Sequence, residues 1–362
     1  MNVVEARYTC FEDFFHHVLP TGELGQMLAS PFVKPIYRGE PSGKYKLIPS
    51  ALREGAGKVL NPEWGGYDAR SAGDQIRQER YKLWQFYKTA NDYGLKVTGN
   101  DSMRNEYLSG MSPTFGYQET SYKWLSSEYE DLAALAQHYG VPTRMLDWTS
   151  ELFTALYFAS SGALKRWRNG DYDCSDTMII WILNGGLIHS MTTTPGTRGV
   201  PEIENGVLKE TIIKPLPLKL VVPPYHDNPN LNAQKGVLSY WQIEMPCRKE
   251  EDQSGYQQFP IDRRPLDEML REHDLGYKND HINILYRIEI DINECEYMYS
   301  VVNDLGYNAA KLFPDYSGVR QKMQEDAIAQ EFRLWLEKKV CQQCQAERAA
   351  LIGESAETDV IA

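Results

Sequence analysis

The sequence predicts an α+β protein rather than a doubly wound α/β one. Three observations carry that reading. Helical periodicity dominates as far as Lys165, four strand-like segments lie between Met178 and Ile292, and helical character returns after Leu305. Strands that follow helices, instead of alternating with them, do not build the βαβ repeat of a doubly wound sheet. A chain of 362 residues is long enough for a sizeable core, as two domains or one domain with insertions.

Taken in order, residues 1–30 read as an amphipathic N-terminal helical segment. Phe11, Phe14, Phe15, Val18 and Leu19 fall at helical spacing before Pro20. An extended piece from Phe32 ends in Tyr37-Arg38-Gly39-Glu40, and a Gly- and Pro-rich loop fills 41–70. Helix resumes over Gln75–Asn91, with Ile76, Leu83, Trp84, Phe86 and Tyr87 for one face, and Gly94 follows its end. Residues 95–120 look like an inserted loop. A helix is expected over Tyr122–His138 and another over Glu151–Lys165, separated by the dense run Thr143–Thr149. Aliphatic or alternating content marks strands at Met178–Leu183, Leu218–Pro223, Val237–Met245 and Leu285–Ile292. Asn184–Lys214 reads as a polar connection and Cys247–Gly255 as a charged, solvated run. The last helices carry Leu312, Phe332, Leu334, Trp335 and Leu336, and the chain turns polar and acidic from Gln342. The expected division is therefore 1–30, 31–325 and 326–362, the last a helix with a polar tail.

Composition excludes several classes. Eight Trp, 23 Tyr and 11 Phe supply too much apolar area for a disordered chain. A net charge of −12 argues against a broad, salt-driven nucleic-acid surface, though not against a nucleic acid bound as substrate. No run approaches the roughly 18 apolar residues of a membrane span, and Glu5, Glu12 and Asp13 spoil a signal peptide. With scattered cysteines and one CxxC, Cys341 and Cys344, the expected compartment is the cytoplasm. His16, His17, His189, His226, His273 and His281 show no ligand spacing, so no metal is expected.

Four segments stand out: Tyr37-Arg38-Gly39-Glu40; Gln137-His138-Tyr139-Gly140-Val141-Pro142-Thr143-Arg144-Met145-Leu146-Asp147-Trp148-Thr149; Asn232-Ala233-Gln234-Lys235-Gly236; and Leu312-Phe313-Pro314-Asp315. In these residues the sequence resembles the FRG-domain family. That family shows an aromatic-Arg-Gly strand end, an His-x-Gly-x-Pro-Thr-Arg-x-Leu-Asp-Trp-Thr block, an Ala-Gln-x-Gly turn and a late Leu-Phe-Pro-Asp. All four occur here in that order, so the resemblance spans roughly residues 30–325.

The resemblance implies an ADP-ribosyltransferase-like core, with two small, mostly antiparallel sheets flanked by helices and clasping NAD. It implies an enzyme that splits NAD, as a consumed substrate, and moves ADP-ribose to RNA, DNA or protein. Such proteins include toxins of bacterial toxin–antitoxin and phage-defence systems. An antitoxin or chaperone is a further expected partner, docking on the N-terminal segment or on the tail from Phe332.

Arg38 is the natural clamp for the diphosphate or ribose, because a guanidinium fork matches those oxygens; otherwise it pairs with a buried carboxylate. Tyr37 and Gly39 flank it, and Gly39 would allow close approach of the ligand. Thr143, Arg144, Asp147, Trp148 and Thr149 occupy the block that supports NAD in related transferases. Arg144 and Asp147 either meet the ligand or pair with each other, and Trp148 either stacks or is core. His138 is a helix C-cap or a catalytic base, and Tyr139 is a stacking face for nicotinamide. Where transferases carry a late-strand Glu, this chain has Gln234, so either Glu40, Asp147 or Glu244 supplies the catalytic carboxylate or Gln234 suffices with an activated acceptor. Arg38, Arg144 and Lys235 are expected to make a local basic pocket. The competing readings are a catalytically inactive nucleotide- or partner-binding module and an NAD glycohydrolase.

Overall fold

Strand-forming residues from both ends of the chain meet in a single sheet. The computed structural model describes residues 3–30, 33–54, 69–97, 103–105, 121–193, 199–204, 207–212, 216–225, 228–246, 260–273 and 283–358. Its strands are β1 (Val3–Tyr8), β2 (Pro35–Glu40), β3 (Ser121–Trp124), β4 (Leu146–Thr149), β5 (Thr177–Asn184), β6 (Gly199–Glu204), β7 (Val207–Ile212), β8 (Leu218–Val221), β9 (Gly236–Trp241), β10 (Ile243–Pro246) and β11 (Leu285–Asp291). Seven of them form one sheet in the order β1-β11-β5-β2-β4-β9-β8. All its pairings are antiparallel except β1 with β11.

The sheet is covered on both faces, which is why β5, Thr-Met-Ile-Ile-Trp-Ile-Leu-Asn, is buried along its whole length. Alternation deals its side chains to two cores. Met178, Ile180 and Ile182 join Tyr37, Ile288 and Ile290 under helices Phe11–Val18, Leu152–Arg168 and Cys295–Asp304. Ile179, Trp181 and Leu183 turn to the opposite face, with Ile36, Leu47, Trp148, Leu266 and Leu270. A third core packs Met145, Val221, Leu238 and Tyr240 against helices Ala72–Asp92 and Ser127–His138.

The α+β class holds, but the two facing sheets do not. There is one seven-stranded sheet plus two separate two-stranded ribbons, β3 with β10 and β6 with β7. One residue pair makes the difference. Tyr37 opposite Thr149 joins β2 to β4, whereas β2 and β5 share six pairs and β4 and β9 share four. A four-stranded and a three-stranded part are thus hydrogen-bonded into one sheet at a seam that opens past Tyr37.

Other elements differ from the sequence reading for identifiable reasons. Residues 1–30 are not wholly helical, because Val3–Tyr8 is a strand whose partner, Leu285–Ile290, lies at the far end of the chain. Helical periodicity starts at Phe11, and Phe11, Phe14, Val18, Leu24 and Leu28 belong to the main core. The helix expected from Tyr122 begins at Ser127, since Ser121–Trp124 pairs with β10 instead. The polar connection after Asn184 holds helix Gly185–Thr193 and the ribbon β6–β7. The final helix starts at Tyr316, where Asp315 Oδ1 accepts the Ser317 and Gly318 amides at 2.7 and 3.0 Å, and runs to Thr358. Cys341 and Cys344 lie on it, but their side chains are outside the described residues, as are Glu244, His226, His281 and the run Cys247–Gly255. Among the described residues no helix is long and apolar enough to cross a membrane.

Candidate functional site

The opening of the seam is occupied by Arg38. On β2, Ile36, Arg38 and Glu40 share one face and Tyr37 and Gly39 the other. Arg38 Nε donates to Glu40 Oε1 at 2.6 Å. Its Nη1 crosses the seam and donates to the Asp147 carbonyl at 2.8 Å, with the Asp147 carboxylate 3.8 Å away. Among the described residues Nη2 has no hydrogen-bond partner, and the side chain is 16% exposed. A guanidinium fixed at two atoms and open at the third is preorganised to take an anion.

The two carboxylates beside it differ. Glu40 is buried and locked to Arg38, whereas the Asp147 side chain is 68% exposed. Asp147 is nevertheless oriented: Gln137 Nε2 donates to its Oδ1 at 2.6 Å. Thr143 Oγ1 in turn donates to Gln137 Oε1, and the Ser50 hydroxyl and Thr143 amide fix that turn. Gln137 is the penultimate residue of helix Ser127–His138. Next to it His138 is half-buried, and burial pushes its imidazole below the ordinary range while Asp147 partly restores it. The ring is therefore neutral at pH 7, able to accept a proton. Tyr139 follows, 66% exposed, with its ring edge-on to His138 at 5.2 Å.

Five of the expected site residues have other tasks. Arg144 is 3% exposed and bidentate to Glu79, itself 4% exposed, with Nε and Nη2 at 2.7 and 2.8 Å. Glu79 also accepts from Trp124 Nε1 at 2.6 Å and Gln75 Nε2 at 2.9 Å, so this is a closed internal network. Arg144 pairs with neither the cleft nor Asp147, and the basic pocket with Arg144 in it is not formed. Trp148 is core: its Nε1 donates to Ser239 Oγ at 2.7 Å. Tyr37 is core too, with burial pushing its phenol up to about 12, so it offers no proton. Gly39 faces helix Leu152–Arg168, and a Cβ there would stand 1.8 Å from the Ala155 carbonyl oxygen. Its lack of a side chain serves strand–helix contact, not ligand approach.

Gln234 is the fifth. It ends helix Pro229–Ala233, and Lys235 follows with φ 48°, the left-handed conformation that closes such a turn. Gln234 Nε2 donates to the Leu312 carbonyl at 3.2 Å, and its own carbonyl accepts Thr149 Oγ1 at 2.6 Å. The Ala-Gln-Lys-Gly turn thus staples the Thr149 block to the Leu312-Phe313-Pro314-Asp315 segment. Gln234 and Thr149 build the frame around the seam and are not its reactive groups. Gln137 and Glu79 went unassigned by the sequence reading. Gln137 opens the quoted block, but nothing local distinguishes Glu79 from other polar residues of its helix.

Fold and site define an α+β protein with an arginine held across a split in its sheet and one oriented, exposed carboxylate beside it. The FRG domain family matches residues 34–167, the span that contains Arg38, Glu40, Gln137, Thr143 and Asp147. Neither a curated protein nor a solved structure matches the chain.

Proposed function

We propose that the protein is an ADP-ribosyltransferase that cleaves NAD and transfers ADP-ribose to a macromolecular acceptor, RNA, DNA or protein, as the toxin of a bacterial toxin–antitoxin or phage-defence system. The observation that carries this reading is the Arg38 guanidinium, fixed by Glu40 and the Asp147 carbonyl with Nη2 left open. In that role Nη2 takes a diphosphate oxygen of NAD. Nicotinamide leaves with the electron pair of its bond to ribose, positive charge develops on the sugar, and an acceptor nucleophile closes on the same carbon. Asp147, oriented by Gln137, is the carboxylate placed to stabilise that charge. Glu40 acts through Arg38, as its partner.

The test is NAD consumption and label transfer to cell RNA, DNA and protein by the wild type, Arg38→Lys and Asp147→Asn. Lysine keeps a charge for Glu40 but loses the fork. Each variant is expected to lose on the order of 10²–10³ in turnover while remaining folded. A wild type that leaves NAD intact, or an Arg38→Lys variant at wild-type rate, overturns the proposal. One observation favours the non-enzymatic module as second reading: the Gln234 amide is committed to Leu312. NAD binding without turnover selects that reading, and free ADP-ribose without labelled acceptor selects a glycohydrolase.

A further inference from the structure

Helix Tyr316–Thr358 is 43 residues long, about 65 Å. Its inner face packs on the main core through Ile328, Ala329, Phe332, Trp335 and Leu336. Among the described residues Leu336 is the last of the helix to do so. Met323, Ala327, Gln330 and Leu334 are exposed, Met323 at 68% and Leu334 at 51%. Their spacing of four, three and four residues sets them roughly 180° around the helix from Phe332. This stripe looks away from the body.

The same alternation of three and four continues through Glu337, Cys341, Cys344, Arg348 and Leu351. A repeat of that period is the seam of a coiled coil. Its content is symmetric about the midpoint between Gln342 and Gln343. Leu334 mirrors Leu351, Glu337 mirrors Arg348, and Cys341 mirrors Cys344. A stripe with this inverted symmetry is complementary to itself read backwards.

Direction matters to such a pair. In antiparallel register Leu334 falls opposite the partner's Leu351, Cys341 opposite the partner's Cys344, and Glu337 opposite the partner's Arg348. Two apolar layers and two opposite-charge layers result, because each mirror pair occurs twice. A parallel pair in register would instead set glutamate against glutamate and arginine against arginine, and like charges at an interface exclude that arrangement. Antiparallel slips of one heptad also fail, since they place Glu337 opposite the partner's Cys341 or Ser355.

We propose that this stripe docks a second copy of the chain as an antiparallel coiled coil over residues 327–358, about 48 Å of helix. The charge complementarity of Glu337 and Arg348 selects the occupant and fixes its direction and register, as polar seam residues do in coiled coils. Cys341 and Cys344 then form the two central layers, which gives the CxxC a place without a metal or a redox partner. The two arginine seams are carried at opposite ends of a shared rod. The inference goes beyond the transferase reading, since the pairing needs neither NAD nor an acceptor.

The test is sedimentation equilibrium of the full chain under reducing conditions, for the wild type, Glu337→Arg, Arg348→Glu and the two changes combined. The wild type is expected to dimerise. Each single change creates two like-charge layers and is expected to weaken the dimer at least about tenfold, whereas the combined swap restores the pairs and the affinity. Register is read by oxidation with diamide, which takes up the two thiol hydrogens as each disulfide forms, followed by peptide mass spectrometry. Cys341→Ser and Cys344→Ser are each expected to give no bridge within the stripe alone, and a bridge between 341 and 344 when mixed. A wild type that stays monomeric at high micromolar concentration leaves the stripe to some other protein and overturns the proposal. So does a combined swap no tighter than the single changes. A bridge between like positions in either single cysteine variant marks a parallel pair and overturns it as well.

Discussion

Replacing Arg144 by methionine separates an internal brace from a ligand contact. The substitution removes two charge-assisted hydrogen bonds, at 2.7 and 2.8 Å, from a carboxylate that is 4% exposed. Glu79 keeps Trp124 Nε1 and the Gln75 amide as donors but loses the guanidinium hydrogen-bonded to it. Stranding a buried charge in this way costs about 3–5 kcal/mol. At about 2 °C per kcal/mol for a chain of this size, the melting temperature falls by ~6–10 °C. Pairing the change with Glu79→Gln neutralises the stranded charge while leaving an acceptor for Trp124 or Gln75. The double variant is therefore expected to regain about 1–3 kcal/mol over Arg144→Met alone. Differential scanning calorimetry on the four proteins of this cycle measures both quantities. A single variant destabilised by less than ~1 kcal/mol, or a double variant no more stable than Arg144→Met, would refute the brace. Loss of NAD turnover without loss of stability would return Arg144 to the cleft.

Four further expectations follow from the same contacts. His138 should titrate below its ordinary range in an NMR pH series, and Asp147→Asn should push it lower still, because Asp147 is the group that raises it; an upward move contradicts the placement. Since the unfolded histidine takes up its proton first, His138 contributes a loss of stability as pH falls below its unfolded value, about 6.5, and His138→Gln removes that part of the slope in urea titrations. Gly39→Ala should cost 1–3 kcal/mol or more, read from denaturant midpoints, because the 1.8 Å approach is to the backbone oxygen of Ala155 and not to a side chain that can swing away. Trp148→Phe leaves the buried Ser239 hydroxyl without its partner and should destabilise by about 1–3 kcal/mol, read from the same midpoints.

The parts of the molecule legible in the sequence are those whose cause is local. Phe11, Phe14 and Val18 announce a helix by their spacing, and Met178–Leu183 announces a buried strand by its continuous apolar run. Arg38 was legible through the motif that surrounds it. What was not legible depends on partners far along the chain. Val3–Tyr8 becomes a strand because β11 is there to pair with it. Arg144 and Arg38 look equally available as isolated arginines. Only the packing of helix Ala72–Asp92 brings Glu79 to the first, and only the diverging strands leave the second open. Gln234 stands where a reacting group was expected, yet Leu312, 78 positions later, claims its amide.

The seam between β2 and β4 has a mechanical consequence. The two strand groups share the core of Ile36, Trp181 and Trp148 on one face, and in the plane of the sheet they are coupled by the pair Tyr37–Thr149 and by one guanidinium reaching across. Arg38 is thus a rivet between the two strand groups. A ligand that adds contacts on both sides of the rivet clamps the halves together, and its binding energy appears as resistance to unfolding that grows with ligand concentration. The thermal shift on ligand addition is therefore upward, and its size at a given concentration reports the affinity of the ligand for the folded sheet.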